Sequence, residues 1–128
     1  MKIFITGSSG FIGFHLSKKL LNKGHEVHGF DSMNNYYDIK LKKERNKILK
    51  DFKKFSFTKG LLENQKVLSK SILNFKPKII IHLAAQAGVR YSIEKPRVYL
   101  DSNITGTYNI IELSKKVNVK HLLIASSS

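Results

Sequence analysis

Thr6-Gly7-Ser8-Ser9-Gly10-Phe11-Ile12-Gly13 follows a short apolar run at residues 3–6 and opens an amphipathic stretch at residues 11–22. The spacing is G-x-x-G-x-x-G, and each glycine has its own duty. One makes the tight turn after the strand, one lets backbone approach a pyrophosphate, and one lets the helix press against the strand. The helix that follows presents unpaired N–H groups to an anion. A glycine loop alone is equally an ordinary strand-to-helix turn. Its place at such a junction, with Asp31 closing the next apolar run 18 residues beyond Gly13, makes it a dinucleotide fingerprint. Gly7, Ser9, Gly10, Phe11, Ile12 and Gly13 are its candidate contacts.

Asp31 is expected to accept hydrogen bonds from the adenine-ribose hydroxyls, with Asn34 and Asn35 on the loop beyond it. Its charge disfavours a 2′-phosphate, and Ser32-Met33-Asn34-Asn35 contains no arginine to offset it, so NAD is expected over NADP. The plainer role for Asp31, a helix or turn cap, ranks below this one.

Outward from the loop, β-rich runs at 3–6, 26–30, 55–58, 79–83 and 121–125 alternate with amphipathic segments at 11–22, 36–52, 64–74 and 97–117. Ile79-Ile80-Ile81 is apolar on both faces, as parallel strands covered by helices on each side require. Right-handed crossovers then predict an α/β fold, a doubly wound parallel sheet in the order 3-2-1-4-5. One domain over residues 1–128 is expected. Pro77 and Pro96 each stand just before a predicted element, and no repeat or low-complexity linker interrupts the pattern.

Composition narrows the function. With no cysteine among 128 residues there is no disulfide framework and no cysteine-based zinc or redox site, which fits a reducing cytosol, and no metal is expected. The start of the chain lacks a basic segment, a long apolar stretch and a small-residue cleavage site, and no later run suits a membrane span. A cytoplasmic protein with no membrane association is expected, and Asn103-Ile104-Thr105 is then a chance glycosylation match. The formal charge of +14 invites a nucleic-acid partner. Against it, only Arg45, Arg90 and Arg97 are arginines, and the lysines lie scattered among Ile and Asn, so no nucleic acid is expected. The densest basic run, residues 40–54, is read as a solvated helix face with Ile39, Ile48, Leu49 and Phe52 as its apolar contacts.

Four stretches together resemble one family. The loop above, Asp31-Ser32-Met33-Asn34-Asn35-Tyr36-Tyr37-Asp38, the run His82-Leu83-Ala84-Ala85-Gln86-Ala87-Gly88-Val89-Arg90-Tyr91-Ser92 and the run Asp101-Ser102-Asn103-Ile104-Thr105-Gly106-Thr107 are similar to extended short-chain dehydrogenase/reductases of the NAD-dependent epimerase/dehydratase type. The UDP-glucuronate 4-epimerases are the nearest subgroup. The resemblance spans essentially the whole chain and implies a Rossmann-like domain holding NAD. It places Leu83, Ala84 and Ala85 along the cofactor, where small residues leave room for it, although helix–sheet packing explains Ala84 too. Asn103 matches a residue on the cofactor side of the site, with a structural bridge to a neighbouring loop as an equal alternative. Arg90 becomes a candidate contact to an anionic UDP-sugar, against a surface arginine, and Gly88 allows its loop to turn tightly.

The same resemblance aligns Ser126-Ser127-Ser128 with the end of the fifth strand, where Ser127 would be catalytic, bonding the sugar oxygen at C4, and Ser128 would touch substrate. Without the family these serines read only as a polar loop. No tyrosine within residues 1–128 has a Lys four positions on in the place after the fifth strand where the family carries its Tyr-x-x-x-Lys, so this stretch by itself is expected to be inactive. The implied reaction is transient oxidation at C4 of UDP-glucuronate by NAD, rotation of the 4-keto sugar and re-reduction, in a homodimeric enzyme. A non-catalytic NAD-binding module, or another NAD-dependent sugar-nucleotide epimerase or dehydratase, is the alternative. One departure stands out: a Gly-Asp pair usual after the third strand reads Gly60-Leu61 here, which removes a carboxylate from the adenine end.

Overall fold

Alternation along the first strand decides which helix covers which face of the sheet. The computed structural model describes residues 1–35, 38–86 and 88–126. In it β1 (Lys2–Thr6) sends Ile3 and Ile5 into one core and Phe4 into the other. Phe14 and Leu21 of α1 (Phe11–Asn22) and Leu49 of α2 (Ile39–Lys50) cover the first face, beside Val27 of β2 (Glu26–Asp31). The opposite face receives Leu68, Ile72 and Phe75 of α3 (Gln65–Phe75), and Ile110 and Leu113 of the last helix.

The strands β3 (Phe55–Lys59), β4 (Ile79–His82) and β5 (His121–Ile124) complete a sheet of order β3-β2-β1-β4-β5. Every pairing is parallel, with Ile5 opposite both Gly29 and Ile81. This is the doubly wound order expected from the sequence. Ile80 enters one core while Ile79 and Ile81 pack against the other, so the apolar triplet is covered on both faces.

The helices depart from the periodic reading in three places. A short helix, α4 (Val89–Glu94), lies where none is predicted; at six residues it is too brief for periodicity to register. The segment expected as one helix over residues 97–117 is α5 (Pro96–Tyr99), a π-helical stretch (Leu100–Thr105) and α6 (Gly106–Lys116). A π-helical turn closes one residue wider than an α-helical turn, i→i+5, and so short a change of period does not register in an apolar pattern. Finally, α2 starts only at Ile39, where Asp38 accepts a hydrogen bond from the Lys40 N–H at 2.9 Å; Tyr36 and Tyr37, expected in that helix, lie outside the described residues.

Candidate functional site: a cleft at the carboxyl ends of the strands

The order of the sheet reverses between β1 and β4, and loops leaving those strands in opposite directions open a crevice between them. A cleft of about 320 Å3 lies there. Gly7, Gly10 and Phe11 line it after β1, Asp31, Ser32 and Asn34 after β2, Gly60 to Glu63 after β3, and Leu83 to Gln86 after β4. Leu41, Lys42 and Arg45 of α2, with Val98 and Ser102, complete the walls.

The phosphate loop is packed to its limit. Gly7 has φ +74, and a Cβ there would lie 2.9 Å from the Ala84 nitrogen. Gly13 sits under the turn: a Cβ on it would come 2.0 Å from the Gly7 carbonyl oxygen. These two approaches seat the start of α1 directly behind the loop. Its N-terminus, Gly10, has no side-chain cap, and no acidic residue occupies the first turn. Uncapped N–H groups and the positive end of the helix dipole therefore face the crevice, the donor set a pyrophosphate requires.

Asp31 also lines the cleft, beside the phosphate loop, and is 5 % exposed. Its Oδ2 accepts from the Ser9 N–H at 3.1 Å and its Oδ1 from the Met33 N–H at 2.8 Å. A buried carboxylate needs such compensation, and each bond of this kind contributes about 1.5–3 kcal/mol. Asp31 thus caps the turn that holds Met33 at φ 57 and ties the end of β2 to the phosphate loop. The cation absent from residues 32–35 arrives from elsewhere: Lys42 Nζ is 3.5 Å from Asp31 Oδ1 and 3.5 Å from Asn34 Oδ1. Arg45 donates to the Ser9 carbonyl at 3.2 Å and lies over the Phe11 ring. The basic run is therefore not a uniformly solvated face. Lys42 and Asn46 are buried in line with Leu49, whereas Ile48, expected as an apolar contact, is exposed.

Thr6 organises the third side. Its Oγ1 accepts from the Leu83 and Ala84 N–H groups, each at 3.0 Å, so both lone pairs are used and its proton goes to His82 Nδ1 at 2.7 Å. His82 Nε2 consequently carries the ring proton and donates to Thr107 Oγ1 at 3.0 Å. Burial lowers the His82 pKa to about 4. This buried chain joins β1, β4 and α6 behind Ala84.

Among the residues singled out from the sequence, Gly7, Gly10, Phe11, Asp31, Asn34, Leu83, Ala84 and Ala85 line one cleft. Ser9 is fully buried, its hydroxyl donating to Asn46 Oδ1 at 3.3 Å, and Gly13 is packed beneath the loop. Ile12 faces a separate shallow groove with His15 and Lys19. Asn35 is exposed outside the wall. Asn103 accepts from the Gln86 N–H at 2.8 Å and donates to the Gln86 carbonyl at 3.2 Å, so it bridges to the loop whose Gln86 lines the cleft. Arg90 is exposed on α4, away from the lining. Ser127 and Ser128 lie outside the described residues. Sequence reasoning missed Leu41, Lys42 and Arg45; the signal was their spacing from Leu49 on one helix face.

Comparison with known proteins agrees with this geometry. The sequence model of the GDP-mannose 4,6-dehydratase family matches residues 4–128. A probable UDP-glucuronate 4-epimerase of Rhizobium meliloti is 48% identical over 100% of the chain, and protein CapI of Staphylococcus aureus is 53% identical over the same span. The chain spans 38% of the length of each. In structure it resembles a variant of the UDP-glucuronic acid 4-epimerase of Bacillus cereus, solved with NAD and UDP-4-deoxy-4-fluoro-glucuronic acid: TM-score 0.89, 31% identity, 99% of this chain and 40% of that one. The UDP-glucose 4-epimerase of Thermus thermophilus, solved with NAD, gives a TM-score of 0.84 at 29% identity, over 99% of this chain and 38% of that one. With a match from residue 4 to residue 128 and a glycine-built anion cradle at the sheet's reversal point, the chain belongs to the GDP-mannose 4,6-dehydratase family.

Proposed function

We propose that this chain holds NAD along the cleft and forms the cofactor-binding part of a nucleotide-sugar 4-epimerase acting on UDP-glucuronate. The observation that carries the reading is the single cleft joining the uncapped start of α1, behind Gly7 and Gly10, to the buried carboxylate of Asp31. Backbone N–H groups of the first turn of α1 would hold the pyrophosphate, and Asp31 the adenine ribose. Leu83, Ala84 and Ala85 would flank the nicotinamide end, their backbone set by Thr6. When bound, NAD supplies reversible hydride removal at the sugar C4, and the protein's share is orientation and proton handling. In this reading Ser127 is the hydroxyl at the sugar C4 oxygen, Ser128 a substrate contact, and Arg90 a cationic contact to the sugar's carboxylate. The full-length protein is expected to interconvert UDP-glucuronate and UDP-galacturonate with no net consumption of NAD. A protein that binds NAD but leaves UDP-glucuronate unchanged, as judged by chromatography, would refute the substrate assignment.

In this reading Leu61 stands where the family's carboxylate would meet the adenine amino group; it is half exposed on the cleft wall. One hydrogen bond contributes about 0.5–1.5 kcal/mol, so Leu61→Asp should tighten NAD by roughly two- to tenfold. An unchanged or weaker affinity by calorimetry would refute that placement.

A homodimer is part of the same proposal. Leu100, Ile104, Tyr108 and Ile111 form an exposed stripe along the π-helical stretch and α6, and such a stripe favours burial against another surface. Sedimentation of the full-length protein should give a dimer, and the double variant Ile104→Glu/Tyr108→Glu a monomer. A monomeric parent would assign the stripe to contacts within one subunit.

A further inference from the structure

Asp31 is less free to grip a ribose than its position suggests. Two carboxylate oxygens offer about four acceptor sites. Ser9 N–H takes one on Oδ2, Met33 N–H one on Oδ1, and Lys42 Nζ approaches Oδ1 at 3.5 Å. One site on Oδ2 remains for a ribose hydroxyl, and the vicinal hydroxyl needs a second partner. Lys42 is placed for it. Its ammonium has three donors, two directed at Asp31 and Asn34, and it lies in the cleft wall with its side chain 11% exposed. A lysine is seldom buried without such a task. Among the described residues, Asp31, Glu63, Lys42 and Arg45 are the charges lining this cleft, and Lys42 is the one paired with Asp31.

We propose that Lys42 is a specificity-determining residue of the adenosine-ribose subsite: it donates to one ribose hydroxyl while Asp31 accepts from the other, and it offsets the Asp31 charge. This rests on the NAD reading above and deepens it. Discrimination against a 2′-phosphate then depends on the balance of the pair. Removing the carboxylate leaves Lys42, with Arg45 on the next turn of α2, facing the 2′ position, and the site should become one that attracts phosphate.

The test is calorimetric titration of the full-length protein with NAD and with NADP, for the parent and the variants Lys42→Met, Asp31→Asn and Asp31→Asn/Lys42→Met. The double variant leaves no unpaired charge and keeps the comparison open if Lys42→Met folds poorly. Lys42→Met should weaken NAD by roughly tenfold or more, the scale of one hydrogen bond to a charged group, and leave NADP still weaker. Asp31→Asn should move the NADP-to-NAD affinity ratio strongly towards NADP, and adding Lys42→Met should cancel at least about tenfold of that gain. Equal ratios for Asp31→Asn and the double variant would overturn the role of Lys42 while leaving NAD binding intact. A parent protein that binds neither dinucleotide would overturn the proposed function and this inference together.

Discussion

Gly13→Ala is expected to abolish dinucleotide binding and to destabilise the domain by at least about 1–3 kcal/mol, the cost of forcing an extra methyl into a packed site. The methyl would meet the Gly7 carbonyl oxygen at 2.0 Å, the Gly7 carbonyl carbon at 2.8 Å and the Ser8 Cα at 2.9 Å. All three are backbone atoms of the phosphate loop, so no side chain can rotate aside. Either α1 lifts off β1 or the turn opens, and in both cases the N–H groups leave the anion position. Gly24→Ala is the control. Gly24, at φ +90 after α1, has nothing within 4 Å of its would-be Cβ, so alanine there costs only backbone strain of about 1 kcal/mol and should leave NAD affinity unchanged. Chemical denaturation and NAD titration of both variants make the comparison. A stable Gly13→Ala protein with parental affinity would refute the loop geometry.

Acid should loosen the sheet through His82. Its folded pKa lies near 4 against an ordinary 6.5, lowered by burial at 3 % exposure. As pH falls below 6.5 the unfolded chain takes up the proton first, and the folded protein resists until about pH 4. Stability is therefore present in full above 6.5 and is lost as pH falls through the folded pKa. Each pH unit of that separation is worth about 1.4 kcal/mol, so the loss is on the order of 3 kcal/mol. Protonation would also set an Nδ1–H against the hydroxyl proton of Thr6, whose lone pairs already serve Leu83 and Ala84. The loop beside the cleft should loosen with the sheet. His28, half-buried and also lowered to about 4 by burial, acts in the same direction. Denaturation midpoints of the full-length protein from pH 7.5 to 4 should fall through this window, and NMR should find the His82 imidazole neutral until near pH 4. A His82 resonance titrating at its ordinary 6.5 would refute the argument.

Much of this protein was legible in its sequence, for a local reason. Parallel strands covered on both faces must be apolar throughout, as Ile79-Ile80-Ile81 is. The strand-to-helix junction of a phosphate loop must be glycine wherever backbone approaches backbone, as at Gly7 and Gly13. Those requirements act on neighbours in the chain, so the strand order and the cleft's glycine edge followed from the residues. The occupants of its other walls did not. Lys42 and Arg45 read as solvated members of a basic run because a long cationic side chain looks the same locally whether it ends in water or beside a carboxylate. Only the way α2 lies across the phosphate loop brings Lys42 to Asp31 and Arg45 to Ser9. Asp31 itself was readable as a ligand for ribose, yet its remaining acceptor capacity depends on the N–H of Ser9, 22 positions away. The link from Asn103 to Gln86 likewise joins a widened helical turn to a loop 17 positions earlier. Hydrogen-bond partners of buried polar groups are chosen by the packing of whole elements, and that choice is made in three dimensions.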